Sequence, residues 1–124
     1  MCGRFSLTAE IEALTEYFQL TKRIFMKPRY NIAPSELIPV LKTRGELEFL
    51  RWGFLPAWQK RDDSNIGFIN ARSETLLEKP SFRDAFKKRR CLVIADGFYE
   101  WKKINRIKQP YYIRQQNHEP FACW

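Results

Sequence analysis

The sequence predicts an α+β fold: an antiparallel, barrel-like β-sheet with a few short helices, in a single domain spanning 1–124. Three observations predict it. Short apolar runs recur along the chain, bounded by Gly, Pro, Asn or Asp. No strand–helix–strand period separates them, which argues against a parallel, doubly wound sheet. Ten Phe, five Tyr and four Trp in 124 residues supply bulk for a packed core, at a length that suits one domain.

The elements follow in order. Thr8 stands where it can cap a helix running to about Gln19; Glu10 and Glu12 suit its positive end, and Ile11, Leu14 and Phe18 form one apolar face. Residues 22–35 read as loop, because Pro28 and Pro34 interrupt KPRYNIAPSE. ELIPVLK (36–42) and ELEFLRW (46–52) read as a hairpin turning at Thr43–Gly45. Loop follows through WGFLPAWQKRDDSN. IGFIN (66–70) reads as a short strand, Arg72 to Leu77 as a helical turn or two, and Ser81 as the cap of the basic helix FRDAFKKRR. CLVIA (91–95), FYEWKK (98–103), QPYYIR (109–114) and PFACW (120–124) read as an antiparallel meander, with a bend or bulge at Asp96-Gly97 and a turn at Asn105-Arg106. The apolar last strand needs an inner neighbour, or it marks an incomplete sheet that more chain, or a second chain, completes.

Composition narrows the function. Twenty-two basic against fourteen acidic residues give a net charge of +8. That surplus suits a polyanionic partner, nucleic acid first; the plain alternative is solubility. No apolar run approaches the roughly 18 residues of a spanning helix, so no membrane partner is expected. Glu10, Glu12 and Glu16 are out of place in a signal peptide, so the expected location is cytoplasmic, on the nucleoid. Three Cys and one His are far apart, with no C-x-x-C, so neither a metal nor another cofactor is expected. Cys91 and Cys123 sit in CLVIA and FACW and read as packed core thiols.

Four segments carry chemistry. In MCGRF, loss of Met1 would leave Cys2 with a free α-amine beside its thiol. An amine of pKa about 7.7–8.0 is partly neutral near pH 7 and can attack an aldehyde. The neighbouring thiol can then close a five-membered thiazolidine ring. The plain alternative is a buried Cys2 behind a retained Met1; a hydrolase with Cys2 as nucleophile is another. In FINARSE, alternation on a strand would put Asn70 and Arg72 on one face, an amide for a sugar oxygen and a fork for phosphate. In GFYEW, Glu100 stands between Tyr99 and Trp101, where partial desolvation would suit it to moving protons. In RWGFLPAW, Trp52, Phe54 and Trp58 make a stacking shelf or wedge, or a loop packed on the core. KKRR (87–90) reads as a solvated helix end, with phosphate steering as the lesser role.

MCGRF, RYNIAPSE, RWGFLPAW, INARSET, FRDAFKKRRCLVIADGFYEW and PYYIR resemble, in order and spacing, the SRAP (SOS response-associated peptidase) family, along essentially the whole chain. The resemblance implies a sensor and shield for abasic sites in single-stranded DNA. It implies that Met1 is removed and that Cys2 crosslinks to the ring-opened abasic sugar as a thiazolidine. Asn70 would orient the sugar and Glu100 would serve as acid and base. Arg4 and Arg72 would hold phosphates, and Trp52, Phe54 and Trp101 would stack or wedge at the DNA. The peptidase activity in the family name would be autocatalytic release of the residue before Cys2, and a lyase-type activity is a further implication. The family pattern continues beyond the last strand to an H-x-R-M-P motif. His118, in QQNHEPFA, does not match it and reads as a turn residue, so the chain is expected to lack the family's C-terminal portion. The competing expectations are a non-covalent single-strand binder, a cysteine peptidase and an inactive fragment.

Overall fold

A computed structural model describes residues 2–22, 24–43, 45–60, 62 and 64–123. Its elements are β1 (Arg4–Leu7), α1 (Ile11–Phe18), β2 (Arg29–Ile32), β3 (Leu37–Thr43), β4 (Glu46–Arg51), a 3-10 turn (Ser73–Thr75), α2 (Pro80–Lys88), β5 (Leu92–Ala95), β6 (Gly97–Ile104), β7 (Ile107–Ile113) and β8 (Phe121–Cys123). The strands form two antiparallel four-stranded sheets, ordered β2-β1-β6-β7 and β4-β3-β5-β8. The fold class is therefore α+β, as the sequence predicts. The expected curl towards a barrel is instead a pair of sheets, with no closed barrel among the described residues.

One stretch of chain serves both sheets. β5 ends at Ala95 and β6 starts at Gly97, with Asp96 between them. The Asp96 N–H donates to the Ser6 carbonyl at 3.0 Å, and Gly97 pairs with Ser6, so the chain leaves one sheet and enters the other beside β1. The core joins the sheets and α1: Phe5, Leu7, Leu14, Leu20, Ile32, Ile38, Val40, Leu41, Ile94 and Ala95 are buried. Leu14, Ile32 and Ile94 have no solvent exposure at all, and burying each such side chain contributes about 1.5–3 kcal/mol.

Several local expectations are corrected. The first helix starts at Ile11 without a side-chain cap, because the Thr8 hydroxyl is spent on Asp96 at 2.7 Å. Its end is closed by Gln19, whose left-handed backbone lets its N–H reach the Thr15 carbonyl. α2 begins at Pro80, inside which Ser81 already lies, so Ser81 caps nothing. Proline suits that first turn because its missing N–H has no helical partner there. RYNI is strand, not loop: Pro28 and Pro34 lie just outside β2 and leave its pairing N–H groups intact. IGFIN is not a strand. It makes one isolated bridge, Phe54 with Phe68, their N–H groups and carbonyls exchanged at 2.8 and 2.9 Å. Gly67 permits that approach, with φ +66° and no room for a Cβ against the Phe54 carbonyl. The C-terminal strands are not a simple meander either. β7 follows β6 in one sheet, but β8 crosses to pair with β5, where Phe121 meets Phe98 at 6.4 Å between ring centroids. Cys91 is half-buried and Cys123 is exposed at the sheet edge, so neither is a fully packed core thiol. Met1, Arg44 and Trp124, which the sequence reading also used, lie outside the described residues.

Candidate functional site

The site grows from the middle of a sheet. β1 lies between β2 and β6, with Arg4 opposite Tyr99, Phe5 opposite Phe98 and Ser6 opposite Gly97. A buried carboxylate fixes this strand. Asp96 accepts hydrogen bonds from the Ser6 hydroxyl at 2.6 Å, the Thr8 hydroxyl at 2.7 Å, the Ala9 N–H at 2.9 Å and the Thr8 N–H. Burial pushes the Asp96 carboxyl up, but the bonds from Ser6, Thr8 and Ala9 outweigh it and hold its pKa below the usual 3.8. Ser6 also meets the Tyr112 hydroxyl at 2.8 Å, which ties in β7. Gly97 is required there, since a Cβ would fall onto that Tyr112 hydroxyl.

Four residues upstream of Ser6, Cys2 is tethered at two points. Its carbonyl accepts a hydrogen bond from Asn70 Nδ2 at 2.7 Å, and its Sγ lies 3.3 Å from the Arg4 carbonyl oxygen. It is half-buried and packs on the core. Burial raises the Cys2 thiol pKa above its ordinary 9.0; the Arg4 backbone offsets part of this, and the Glu100 carboxylate raises it further. The structure thus brings together Cys2, Asn70, the Arg4 backbone and the Glu100 charge, while the Arg4 side chain stands opposite Tyr99, on the other face from Glu100. Asn70 gets there from a loop held by the Phe54–Phe68 bridge, not from a strand face shared with Arg72. Arg72 is exposed at the start of the 3-10 turn, its carbonyl accepting the Thr75 N–H at 3.2 Å.

The aromatic candidates divide. Trp52 donates its Nε1–H to the Ile69 carbonyl at 2.9 Å and packs on Phe5 with ring centroids 5.4 Å apart. Phe54 packs on Phe82 at 5.4 Å. Both rings are built into the support of the Asn70 loop. Trp58 in the same segment is 67% exposed, and Trp101 on β6 is 44% exposed. Trp101 alternates with Glu100 along the regular β6–β7 register, so the two project from opposite faces. KKRR closes α2, Lys87 and Lys88 in its last turn, where positive charge favours the helix dipole, and Arg90 lies over Phe86 at 5.4 Å. His118 sits in a turn, its N–H donating to the Gln115 carbonyl at 3.1 Å.

Sequence reasoning missed two contributors. Asn31 accepts a hydrogen bond from Arg4 Nη1 at 3.0 Å, orienting the guanidinium with a neutral partner. Only a strand assignment for RYNI would have brought Asn31 beside Arg4. Asp96 was legible as half of a bend and not as the anchor of β1. Among the described residues, no group of three or more His, Cys, Asp or Glu side chains is placed to hold a metal ion. No helix among them is long and apolar enough to cross a membrane.

The family model described as SOS response associated peptidase (SRAP) matches residues 1–123. The chain belongs to the SRAP family. Among curated SRAP relatives, the abasic site processing protein YoqW of Bacillus subtilis is 40% identical over 129 residues, covering 98% of this chain and 58% of YoqW. The abasic site processing protein HMCES of Gallus gallus is 40% identical over 102 residues, covering 70% of this chain and 30% of that protein. A crystal structure of a protein from Bacteroides thetaiotaomicron superposes with a TM-score of 0.85 at 26% identity, covering 98% of this chain and 57% of the other. The chain thus spans rather more than half the length of YoqW.

Proposed function

We propose that this SRAP chain captures abasic sites in single-stranded DNA by a covalent bond through Cys2. The observation that carries the reading is the double tether of residue 2, held by Asn70 and by the Arg4 backbone within reach of the Glu100 charge. The abasic site processing relatives support the choice of substrate. The family's peptidase name suits the hydrolytic release of Met1, which consumes one water and bares the Cys2 amine.

The chemistry then needs no cofactor. The neutral α-amine adds to the aldehyde of the ring-opened sugar, and loss of water gives an imine. A thiol with a raised pKa stays protonated while the amine reacts. Its sulfur then adds to the imine carbon as its proton passes, through Glu100, to the nitrogen. The sum is aldehyde plus aminothiol giving thiazolidine plus water. Asn70 spends one N–H on the Cys2 carbonyl and keeps a second N–H and an acceptor for the sugar. Arg4 gives one of its five donors to Asn31 and offers the rest to phosphate, and Arg72 offers a second guanidinium from the exposed start of the 3-10 turn. Trp52 and Phe54 act by holding the Asn70 loop, and Trp101 meets the DNA. DNA as partner sets the place of work in the cytoplasm, on the nucleoid.

The test is a denaturing gel. Protein mixed with a single-stranded oligonucleotide carrying one abasic site should give a slow band, absent with Cys2→Ala. Its mass should equal the Met1-less protein plus DNA minus one water. Clean separation of protein and DNA overturns covalent capture and leaves the non-covalent reading or an inactive fragment.

A further inference from the structure

The chemistry at Cys2 leaves a second thiol, Cys123, without a role. β6 and β8 both run away from the Asp96 bend, since Gly97 opens β6 and Phe121 pairs with Ala95, Cys123 with Val93. Phe98 and Phe121 meet across the two sheets, ring centroids 6.4 Å apart. Alternate residues along a strand share a face, and both ladders are regular here. Two residues further on, Glu100 and Cys123 therefore stand on those same facing sides. Cys2 joins them. The Glu100 charge raises its thiol pKa, and Cys2 packs on the core that Phe98, Phe121 and Ala122 also pack on. The two thiols also sense each other. Cys123 is exposed overall, but its sulfur lies 3.7 Å from the Val93 carbonyl oxygen. Burial pushes its thiol pKa up, and the Cys2 charge pushes it further.

Both cysteines sit where the backbone can give. Cys2 precedes β1, which starts at Arg4, and Cys123 ends the three-residue edge strand β8. Among the described residues, nothing lies within 4 Å of where a Gly3 Cβ would be. A disulfide needs its Cα atoms within about 7 Å. Here it can close at the cost of few ladder hydrogen bonds, because strand ends open locally at low cost.

We propose that Cys2 and Cys123 close as a reversible disulfide, Cys123 serving as the resolving thiol that guards Cys2 against terminal oxidation. The oxidant is a peroxide. The Cys2 sulfur attacks one peroxide oxygen, the O–O bond breaks, and a sulfenic acid and one water form. The Cys123 sulfur then displaces the hydroxyl from the Cys2 sulfur, which leaves with the Cys123 proton as a second water. Two thiols are oxidised to one disulfide, and the peroxide is reduced to two waters. A sulfenic acid with no thiol at hand goes on to sulfinic and sulfonic acids, which thiol reductants do not reverse. The disulfide is reopened by thiol exchange. The raised pKa of both thiols slows closure, so the pair stays reduced until peroxide accumulates. The link needs no DNA; only its consequence for capture rests on the function proposed above.

The experiment exposes dilute protein to hydrogen peroxide, alkylates the remaining thiols and maps peptides by mass without reduction. The parent should give the Cys2 peptide joined to the Cys123 peptide, in a monomer lighter by two hydrogens. Cys91→Ser should give the same link, since Cys91 has no part in it. Cys123→Ser should lose the link and carry sulfinic or sulfonic acid on Cys2. After dithiothreitol, the parent and Cys91→Ser should regain capture of an abasic oligonucleotide, and Cys123→Ser should stay blocked. Links from Cys2 to Cys91, or links only between separate molecules, would overturn the pair. So would sulfinic acid on Cys2 at equal yield in the parent and Cys123→Ser. Because the link is read by mass, failure to crosslink DNA before peroxide would overturn the proposed function and leave the pair standing.

Discussion

Replacing Asp96 by Ala should destabilise the fold by about 4 kcal/mol. Its carboxylate receives the Ser6 and Thr8 hydroxyls and the backbone N–H groups of Thr8 and Ala9. Ser6 has fallback contacts, the Tyr112 hydroxyl at 2.8 Å and the Gly97 carbonyl at 3.4 Å. Among the described residues the two backbone N–H groups donate to Asp96 alone. Each stranded donor costs about 1–3 kcal/mol, and bonds to a charged acceptor are the stronger kind. With a urea slope of about 2 kcal/mol per molar, the unfolding midpoint should fall by about 2 M. Asp96→Asn keeps the shape and one acceptor, so about half that loss is expected. The pH dependence gives a second handle. The folded pKa of Asp96 lies below its unfolded value. Its contribution is therefore complete above the unfolded carboxyl value, about 3.9, and drains as pH falls through the folded value. The parent should lose stability below about pH 4 more steeply than Asp96→Asn. A midpoint shift under about 0.5 M for Asp96→Ala, or parallel acid limbs for parent and Asn variant, would refute the anchoring role.

Three further outcomes follow from the site. Asn70→Ala should slow the initial rate of adduct formation about 10–100-fold, since it loosens Cys2 and removes a hydrogen-bonding group aimed at the sugar. Its melting temperature should barely move, which calorimetry would check. Glu100→Gln removes a charge that raises the Cys2 thiol pKa, so the pH profile of Cys2 alkylation, read by peptide mass mapping, should shift to lower pH. A shift to higher pH would contradict the placement of Glu100. Gly67→Ala should cost about 2 kcal/mol or more, since its φ of +66° and the Phe54 carbonyl both exclude a Cβ. Denaturant titration reads that loss, and crosslinking should slow with it as the Asn70 loop shifts.

Much of this was legible in residues that act locally. The β3–β4 hairpin, the Asn105 turn and β6 announce themselves through alternation and turn residues, and the structure has them. Long-range substitutions of partner were not legible. Thr8 looks like a helix cap because a cap is its nearest use; Asp96, 88 residues away, claims it instead. RYNI looked like loop because two prolines flank it, yet both fall outside the paired positions. IGFIN has a strand's composition but only one bridging partner, so it remains a loop and parts Arg72 from Asn70. β8 could not be assigned to the other sheet from its sequence, since Phe121 chooses its neighbour by filling space against Phe98. Cys2, Arg4, Asn70 and Glu100 were named from motifs, while Asn31 required a fold to appear.

One of the two tethers on residue 2, the Asn70 bond, grips a main-chain oxygen, which every amino acid has. That grip is blind to what the side chain is. The position therefore behaves as a socket: serine, threonine or an unnatural aminothiol placed there would sit in the same seat, its direction set by what its own side chain gives the Arg4 carbonyl. Exchanging the warhead without disturbing the mount would turn one protein into a matched set of reagents, some that bond to their target and some that merely rest on it.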